Sequence, residues 1–286
     1  MLRAATERLL RSSGFEIRRV DSAARALRSQ EPSSLFGEAT IIGDLLGTVQ
    51  APAWCVDIAA GDGREMSNSF GLYRDDWDGL AVEVDGARFA ALATLYATRP
   101  KVRLWRGRVT PGNVVALLAA AQTPAEFAFL SLDIDGFDYF VLESILSQYR
   151  PALICAEINE KIPPPIRFTV LYSDDYEWDL SLFYGQSIAQ LDVLRARHDY
   201  ALVQLEYNNA FLMPAEIAPR SMTAEDAYRD GYLRRGDRLE KMPWNAPYEE
   251  LLTMSPTDGV TRIEELLAAN RGLYELSLSE DASTGG

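Results

Sequence analysis

The stretch that decides the fold runs from residue 54 to residue 63 and reads Trp54-Cys55-Val56-Asp57-Ile58-Ala59-Ala60-Gly61-Asp62-Gly63. Residues suited to a buried strand lead into an acidic residue, then into small residues and glycines, and a helix-compatible run follows from Arg64. This order predicts a strand, a tight turn and a helix, with glycines that let the backbone come close to a ligand. The dinucleotide pattern G-x-G-x-x-G is not met, because Ala59 takes the first glycine position and no third glycine follows in register.

The acidic residue at the strand tip indicates the charge of the ligand. Asp57 would repel a pyrophosphate group, so a cationic or zwitterionic ligand fits better than a dinucleotide. The alternative is an ordinary glycine-rich turn that binds nothing.

The composition is that of an ordinary globular protein. The 286 residues are 48% hydrophobic and 24% charged, which is enough for a full core in one large domain with extensions. The net charge of -14 and the pI near 4.6 argue against nucleic acid and against an anionic membrane as partners. A small molecule is the expected partner.

The two cysteines, Cys55 and Cys155, lie in apolar strand-like runs without C-x-x-C spacing, so they are interpreted as buried thiols. The first twenty or so residues lack the apolar core of a signal peptide, and no run approaches the ~18–20 apolar residues that span a bilayer. A cytoplasmic location is the expectation.

The chain divides into three parts. Residues 1–50 are predicted to be an N-terminal helical segment with helices at Ala4–Leu10, Ser22–Arg28 and Leu35–Thr48. Residues 51–215 are predicted to form the catalytic sheet domain. Residues 216–286 are predicted to be a C-terminal helical extension, with helices at Asp226–Gly236 and Ile263–Leu276 and a rigid turn at Pro243–Pro247.

Strands and helices alternate in the middle part, which is typical of a doubly wound, mostly parallel Rossmann-like α/β sheet. The predicted strands are Cys55–Ile58, Leu80–Val84, Val102–Trp105, Phe129–Leu132, Leu153–Ile158, Ala201–Glu206 and Ala210–Met213. The predicted helices are Glu65–Tyr73, Ala87–Thr98, Pro111–Ala121, Tyr139–Gln148 and Ile188–Arg197. Only Tyr207-Asn208-Asn209 separates the last two strands, so these must form an antiparallel hairpin.

Ligands of such sheets bind at the carboxyl ends of the strands. Beyond the first strand end, Ser67 and Asn68 are candidates for ligand contact, although they could equally be helix caps. After the second strand, Glu83 is predicted to hydrogen-bond ribose hydroxyls, with Asp85 as the second choice. A solvated strand-end acid is the alternative.

The fourth strand ends in an unusual concentration of like charge. Asp133, Asp135 and Asp138 occupy three of six consecutive positions. Such a cluster raises pKa values unless a cation or hydrogen-bond donors balance it.

Glu157 and Asn159, at the end of the fifth strand, offer further oxygen ligands of the kind that Mg²⁺ or Ca²⁺ accepts. We therefore expect Asp135, Glu157 and Asn159 to hold a divalent cation. Carboxylates balanced by backbone N–H groups and by Lys161 are the alternative.

Three further stretches lie near these strand ends. The proline-rich run Lys161–Ile166 is predicted to be extended along a substrate wall, and Tyr172–Trp178 could floor a pocket or form a plain surface loop. Asn208 and Asn209 are interpreted as turn residues that tolerate positive φ. His198, the only histidine, lies at a helix end far from the predicted ligand edge, so we exclude it as a base.

Together these motifs carry a resemblance to a known family. Asp57 to Gly63 looks like motif I of class I S-adenosylmethionine (SAM)-dependent methyltransferases, and the segment Asp133-Ile134-Asp135-Gly136, followed by Tyr139-Phe140-Val141-Leu142, resembles that of the FkbM-like group. Asp133 or Asp135 with Glu157 and Asn159 loosely resembles the Mg²⁺ site of catechol-type O-methyltransferases. In this chain Glu157 replaces the Asp of the Asp-Asn pair in that site, and Ile158 separates Glu157 from Asn159. The resemblance covers about residues 52–213.

The resemblance implies SAM as the cofactor and O-methylation of a small hydroxylated, sugar-like or natural-product substrate, with possible assistance from Mg²⁺. The expected cofactor-binding residues are Asp57, Ala59, Gly61, Asp62, Gly63, Ser67, Asn68, Glu83, Asp85 and Asp133. The expected proton acceptors are Asp135, Asp138 and Lys161.

Two alternatives stay open: a nucleotide-dependent oxidoreductase or sugar-modifying enzyme on the same fold, and a non-catalytic protein that binds partners through its helical arms. The apolar positions of those arms also predict a homodimer.

Overall fold

The structure, a computed structural model that describes residues 34–279, alternates strands and helices along most of its length. The strands are β1 Trp54–Ile58, β2 Asp78–Glu83, β3 Val102–Arg106, β4 Glu126–Leu132, β5 Arg150–Glu157, β6 Ile166–Val170, β7 Tyr200–Glu206, β8 Asn209–Pro214 and β9 Tyr274–Leu278. The α-helices are α1 Glu38–Leu46, α2 Phe70–Arg74, α3 Gly86–Leu95, α4 Val114–Ala120, α5 Asp138–Leu146, α6 Ile188–Arg197, α7 Ala224–Tyr228, α8 Arg238–Lys241 and α9 Pro256–Leu266. A π-helical turn, Arg229–Leu233, and 3₁₀ helices at Pro243–Leu252 and Ala268–Asn270 complete the extension.

The central sheet has seven strands in the order β3-β2-β1-β4-β5-β8-β7. Neighbours from β3 through β5 pair in parallel, whereas β8 runs antiparallel to both β5 and β7. The strand order reverses between β1 and β4, which is the position where ligands bind in open α/β sheets. The predicted fold class, a mostly parallel Rossmann-like sheet with a terminal antiparallel hairpin, is confirmed.

Both faces of this sheet are buried, which explains why its strands show no polar alternation. On one face, Val56 and Ile58 of β1 belong to a core that includes side chains of α4, α5 and α6. On the other face, Cys55 of β1 packs in a core with side chains of α1, α2 and α3. Cys55 and Cys155 are both buried free thiols, as predicted.

The hairpin follows from the length of its connection. β7 ends at Glu206 and β8 begins at Asn209, so only two residues join antiparallel strands. Tyr207 takes the positive φ of 53° in this turn. The positive φ that we assigned to the asparagine pair therefore belongs to Tyr207, and this leaves the side chains of Asn208 and Asn209 for other contacts.

The predicted helix Glu65–Tyr73 is wrong over most of its length, because α2 begins only at Phe70. Local hydrogen bonds compete with the helix: Asp62 Oδ1 accepts from the N–H groups of Arg64 and Glu65, and Ser67 Oγ accepts from Phe70 N. Met66 also has a φ of 53°, which no α-helix accommodates.

A second, two-stranded sheet was missed by sequence reasoning. β6 pairs with β9 in antiparallel register, from Ile166 opposite Leu278 to Val170 opposite Tyr274. The predicted helix Ile263–Leu276 is therefore wrong beyond Leu266, where α9 ends. Gly272, with a φ of 82°, turns the chain from the helix into the strand. The strand pairs with a partner more than a hundred residues away, and no local pattern indicates it.

The extension packs onto the sheet domain through polar as well as apolar contacts. The Tyr228 hydroxyl donates to the backbone oxygen of Glu160, and the Asn245 amide donates to the Glu160 carboxylate at 2.6 Å. Within residues 34–279, no helix is both long and apolar enough to cross a membrane. The predicted helices Ala4–Leu10 and Ser22–Arg28 and the terminal residues 281–286 lie outside the described residues. The three-part domain division and the homodimer stay predictions.

Candidate functional site

A cavity of about 430 Å³ lies at the carboxyl ends of β1, β4 and β5. Its floor includes Asp57 from β1, Ser131 from β4 and Glu157 from β5, and the start of β8 adds Asn209. Because β1 and β4 flank the point where the strand order reverses, the cavity occupies the position expected for the ligand of this fold.

The turn after β1 is built from left-handed backbone. Ala59, Gly61 and Gly63 have φ values of 69°, 60° and 81°. An added Cβ at Gly63 would meet Leu92 at 2.6 Å and Tyr96 at 2.8 Å, so this glycine allows the turn to pack against α3. Gly63 does not line the cavity, whereas every residue from Asp57 to Asp62 does.

Asp57 is buried at the cavity floor, where the Ser69 hydroxyl donates to its carboxylate. Burial raises the pKa of Asp57 to about 6, and the nearby Glu83 carboxylate adds to the rise while the Ser69 bond opposes it. A positive charge in the cavity would stabilise the ionised form of Asp57. Asp57 is therefore the side chain that accounts for the predicted preference for a cationic ligand.

Glu83 fastens the β1 turn to the end of β2. Its carboxylate accepts from Gly61 N at 2.8 Å and from Asp85 N at 2.7 Å, and the side chain is buried. Glu83 does not line the cavity. Each oxygen retains a second lone pair, so the predicted ribose contact stays a prediction.

Asp85, the second choice for the ribose contact, is a helix-capping residue in the structure. Its exposed carboxylate accepts from the N–H groups of Ala87 and Arg88 and caps the N-terminus of α3. It does not line the cavity.

Ser67 and Asn68 both line the cavity. Ser67 also accepts a hydrogen bond from Phe70 N at the start of α2, although Ser69 is the N-cap residue of that helix. Asn68 instead points across the sheet: its amide nitrogen lies 3.5 Å from the Cys155 thiol, and its buried amide oxygen has no hydrogen-bond partner among the described residues. That oxygen is free to accept from a ligand.

Three carboxylates converge where β4 and β5 end. One oxygen from each of Asp133, Asp135 and Glu157 lies within 4.8 Å of the others. Asn208 donates to one oxygen of Glu157 at 2.8 Å, and the other oxygen is buried without a hydrogen-bond partner among the described residues. Three hard oxygen ligands this close fit a divalent cation.

The pKa values of this cluster reflect its crowding. Burial and the neighbouring Asp133 carboxylate raise the pKa of Asp135 to about 7, while Lys161 and Arg88 oppose the rise. Burial raises the pKa of Asp133 to about 6, and burial with the Asp133 charge raises that of Glu157 well above its usual range. In the absence of a cation, these carboxyl groups therefore bind protons more tightly than isolated carboxyl groups do.

Asp138 was predicted to accept a proton from the substrate, and its surroundings contradict this. The side chain is fully buried and outside the cavity lining, and its two oxygens accept from Ile134 N and Gly136 N, both at 2.9 Å. Asp138 holds the loop that presents Asp135, whose φ is 51°. It is therefore a positioning residue of that loop.

Asn159 was predicted as a metal ligand but lies outside the cavity lining, and its amide oxygen is buried without a hydrogen-bond partner among the described residues. Its amide nitrogen donates to the backbone oxygens of Leu182 and Tyr184. Asp133 takes the place that we had given to Asn159.

Lys161 lines the cavity within a buried polar network. Its ammonium group donates to the Tyr184 hydroxyl at 2.7 Å and to Glu160 at 3.2 Å, and Tyr184 donates to the other Glu160 oxygen at 2.9 Å. Since the ammonium group is committed to these acceptors, Lys161 is a donor in this arrangement and the predicted role as proton acceptor does not suit it.

Several lining residues were missed by sequence reasoning. They include Leu35, Glu38, Glu65, Met66, Arg88, Ser131, Glu160, Tyr184, Asn208, Asn209, Met242 and Trp244. The best indication was the Asn208-Asn209 pair: because β8 runs antiparallel, its first residue lies at the carboxyl edge of the other strands. Asn209 there donates to Glu38 of α1 at 3.0 Å. Trp178 was included in the predicted pocket floor and does line the cavity. His198, which we excluded, does not.

Comparisons with known proteins gave only distant structural likeness. No protein-family model matches the chain, and no curated protein matches it. Among solved structures, an S-adenosylmethionine-dependent methyltransferase from Clostridium acetobutylicum is 8% identical, with a TM-score of 0.40 over 65% of this chain and 93% of that one. The N-terminal domain of EvdMO1 with SAH bound is 11% identical, with a TM-score of 0.40 over 65% and 81%.

A protein of the NADB-Rossmann superfamily from Streptococcus agalactiae is 12% identical, with a TM-score of 0.42 over 84% of this chain and 99% of that one. Identities and TM-scores of this size carry no argument about function.

Proposed function

We propose that this chain is a SAM-dependent methyltransferase that methylates a hydroxyl oxygen of a small hydroxylated substrate. The carrying observation is a single cavity at the switch point of the sheet, which joins the left-handed turn after β1 to a cluster of carboxylates. The D-x-D-G segment at Asp133–Gly136 is the basis for proposing the FkbM-like group.

The charge of the cavity favours SAM over a dinucleotide. Eight of the described lining residues are acidic and two are basic: Glu38, Asp57, Asp62, Glu65, Asp133, Asp135, Glu157 and Glu160 against Arg88 and Lys161. SAM carries a sulfonium and an ammonium group against one carboxylate, whereas the pyrophosphate of a dinucleotide would enter this field against strong repulsion. This argues against the nucleotide-dependent oxidoreductase.

The residues present also fit a divalent cation. Asp133, Asp135 and Glu157 would hold it, and the unpartnered oxygen of Glu157 gives it a buried ligand atom. A bound cation lowers the pKa of a substrate hydroxyl. We propose Mg²⁺ for this role, because all of the ligand atoms are carboxylate oxygens.

The remaining work of the chain is positioning and proton transfer. SAM supplies an electrophilic methyl group, and transfer needs the acceptor oxygen to lie in line behind it. Asp135 is the residue that we propose as proton acceptor, since its carboxylate lines the cavity beside the proposed ion. Lys161, held by Glu160 and Tyr184, would donate hydrogen bonds to the substrate side of the cavity.

Calorimetric titration tests this function directly. We expect SAM and its demethylated product SAH to bind, NAD⁺ not to bind, and Asp57→Asn to weaken SAM binding by about tenfold, since a charge-assisted contact is lost. The control is Asp78→Asn, which also removes one carboxylate. Asp78 lies at the start of β2, the end of the strand that is opposite to the ligand edge of the sheet. Binding of NAD⁺ in preference to SAM would overturn the proposal.

The metal is tested by the same titration in EDTA and in Mg²⁺. We expect Mg²⁺ to bind the wild type and to bind Glu157→Gln at least tenfold more weakly. Equal Mg²⁺ affinity of the two proteins would contradict the proposed metal site. The SAM titration would still decide the methyltransferase function.

A further inference from the structure

Part of the cavity lining is aromatic. Trp178 and Trp244 both line it, together with Tyr184 and Met242. Trp244 is 55% exposed, although it lies in a segment whose neighbour Asn245 is buried and hydrogen-bonded to Glu160. An exposed indole on an anchored backbone leaves apolar surface in contact with water, which is unfavourable. Contact with a ligand would remove this surface from water.

An ammonium group beside an aromatic side chain already exists in this wall. Lys161 Nζ lies 4.3 Å from the centre of the Tyr184 ring, and Glu160 completes its surroundings. The cavity wall thus combines the two features that bind an organic cation, an aromatic face and a carboxylate.

The negative charge of the cavity exceeds what the cofactors would neutralise. Eight acidic against two basic lining residues leave an excess of six. SAM contributes a net single positive charge and a divalent cation contributes two, so about half of the excess remains when both are bound and all eight carboxylates are ionised.

We propose that the methyl acceptor is a hydroxylated ring compound that carries a protonated amine, and that Trp244 and Trp178 determine this specificity. The proposal rests on the proposed methyltransferase function and names the substrate class of the same site. The ring packs against the indoles, and the ammonium group lies among the carboxylates that line the cavity, of which Glu65 is exposed. Phosphorylated and carboxylated acceptors are disfavoured by the same charges.

Binding of two matched probe sets tests the proposal. Tyramine, tyrosol and para-hydroxyphenylacetate share a phenol ring and end in an amine, a hydroxyl or a carboxylate. Glucosamine, glucose and glucuronate provide the same comparison on a sugar ring. Each probe is titrated with and without saturating SAH, in a buffer below neutrality in which both amines are protonated.

We expect the amine of at least one set to bind about tenfold or more tightly than its neutral counterpart, and the acid not to bind. The set that shows this preference identifies the ring type. Equal or tighter binding of the neutral or acidic member in both sets overturns the proposal, and so does the absence of binding by both amines.

Two variants separate the ring contact from the charge. Trp244→Ala should weaken the favoured amine by about tenfold, while Leu180→Ala, at an exposed residue outside the cavity lining, should leave it unchanged. Glu65→Gln should reduce the preference for the amine over the neutral probe, and Glu177→Gln, an exposed control outside the cavity lining, should not. The assignment of these residues is wrong if a control variant loses amine binding. It is also wrong if Trp244→Ala binds the amine as tightly as the wild type does.

The SAH titration keeps the two proposals distinct. If SAH does not bind, the methyltransferase function fails, whatever the probes do. If SAH binds and no amine is preferred, the function stands and the acceptor class is wrong.

Discussion

At the scale of single residues, the carboxylates at the strand ends differ in what their oxygens already bind. Glu83 and Asp138 each accept two backbone N–H groups, whereas Glu157 has one oxygen without a partner among the described residues. The first two hold loops in place, and the third is free to bind a ligand. Residue type alone does not separate these roles, because all three are acids at the edge of the same sheet.

Glu83→Ala tests whether such a residue also contacts the cofactor. Loss of two charge-assisted hydrogen bonds should lower the free energy of unfolding by about 2–4 kcal/mol, and SAM affinity should fall as well. Chemical denaturation and SAM titration measure the two effects. Glu126→Ala, an exposed acid at the start of β4, is the control. Reduced stability with unchanged SAM affinity would rule out the ribose contact.

At the scale of elements, the loop between β4 and α5 determines where the acidic cluster lies. Asp138, in the first turn of α5, accepts from Ile134 and Gly136 and thereby holds Asp135 in left-handed backbone. The carboxylate is also favourable at a helix N-terminus. One buried side chain therefore couples the helix to the position of the proposed proton acceptor.

Asp138→Ala should disturb both the start of α5 and the position of Asp135. We expect the free energy of unfolding to fall by about 2–4 kcal/mol, because two backbone N–H groups lose their acceptor, and Mg²⁺ affinity to fall with it. Asp192→Ala, which removes a surface ion pair with Arg195, should cost under about 1 kcal/mol and leave Mg²⁺ binding unchanged. Unaltered Mg²⁺ affinity in Asp138→Ala would show that the loop does not need this support.

At the scale of the whole molecule, the buried acids predict an unusual dependence of stability on pH. Burial raises the pKa of Asp57, Asp133 and Asp138 to about 6 and, with the Asp133 charge, that of Asp135 to about 7, from an ordinary value of 3.8. Between about pH 4 and pH 7 the folded state therefore binds protons more tightly than the unfolded state.

Stability should accordingly rise as the pH falls from 7 towards 5, by about 1.4 kcal/mol per pH unit for each additional proton that the folded state binds. Denaturation in EDTA at a series of pH values measures this slope. Saturating Mg²⁺ should flatten it, because the ion stabilises the ionised carboxylates that the proton otherwise neutralises. Stability that falls steadily from pH 7 to pH 5 in EDTA would contradict the prediction.

The sequence by itself determined the features that depend on neighbouring residues. Apolar strands without polar alternation, a three-residue connection and the glycines after β1 predicted a parallel sheet, its terminal hairpin and the turn at its ligand edge. These follow from steric limits and burial along a short stretch of chain. The sequence also placed Asp57, Asp133, Asp135 and Glu157 at strand ends, since parallel strands all end at one edge.

Only the tertiary structure decided which side chains meet in the cavity and which turn away from it. Asn159 faces the backbone of residues 182 and 184, whereas Trp244 and Glu38 reach the cavity from opposite ends of the described chain. The pairing of β6 with β9 likewise joins distant segments. Such contacts depend on how elements pack in three dimensions, and the residues that make them carry no pattern in their own neighbourhood from which the meeting could be predicted.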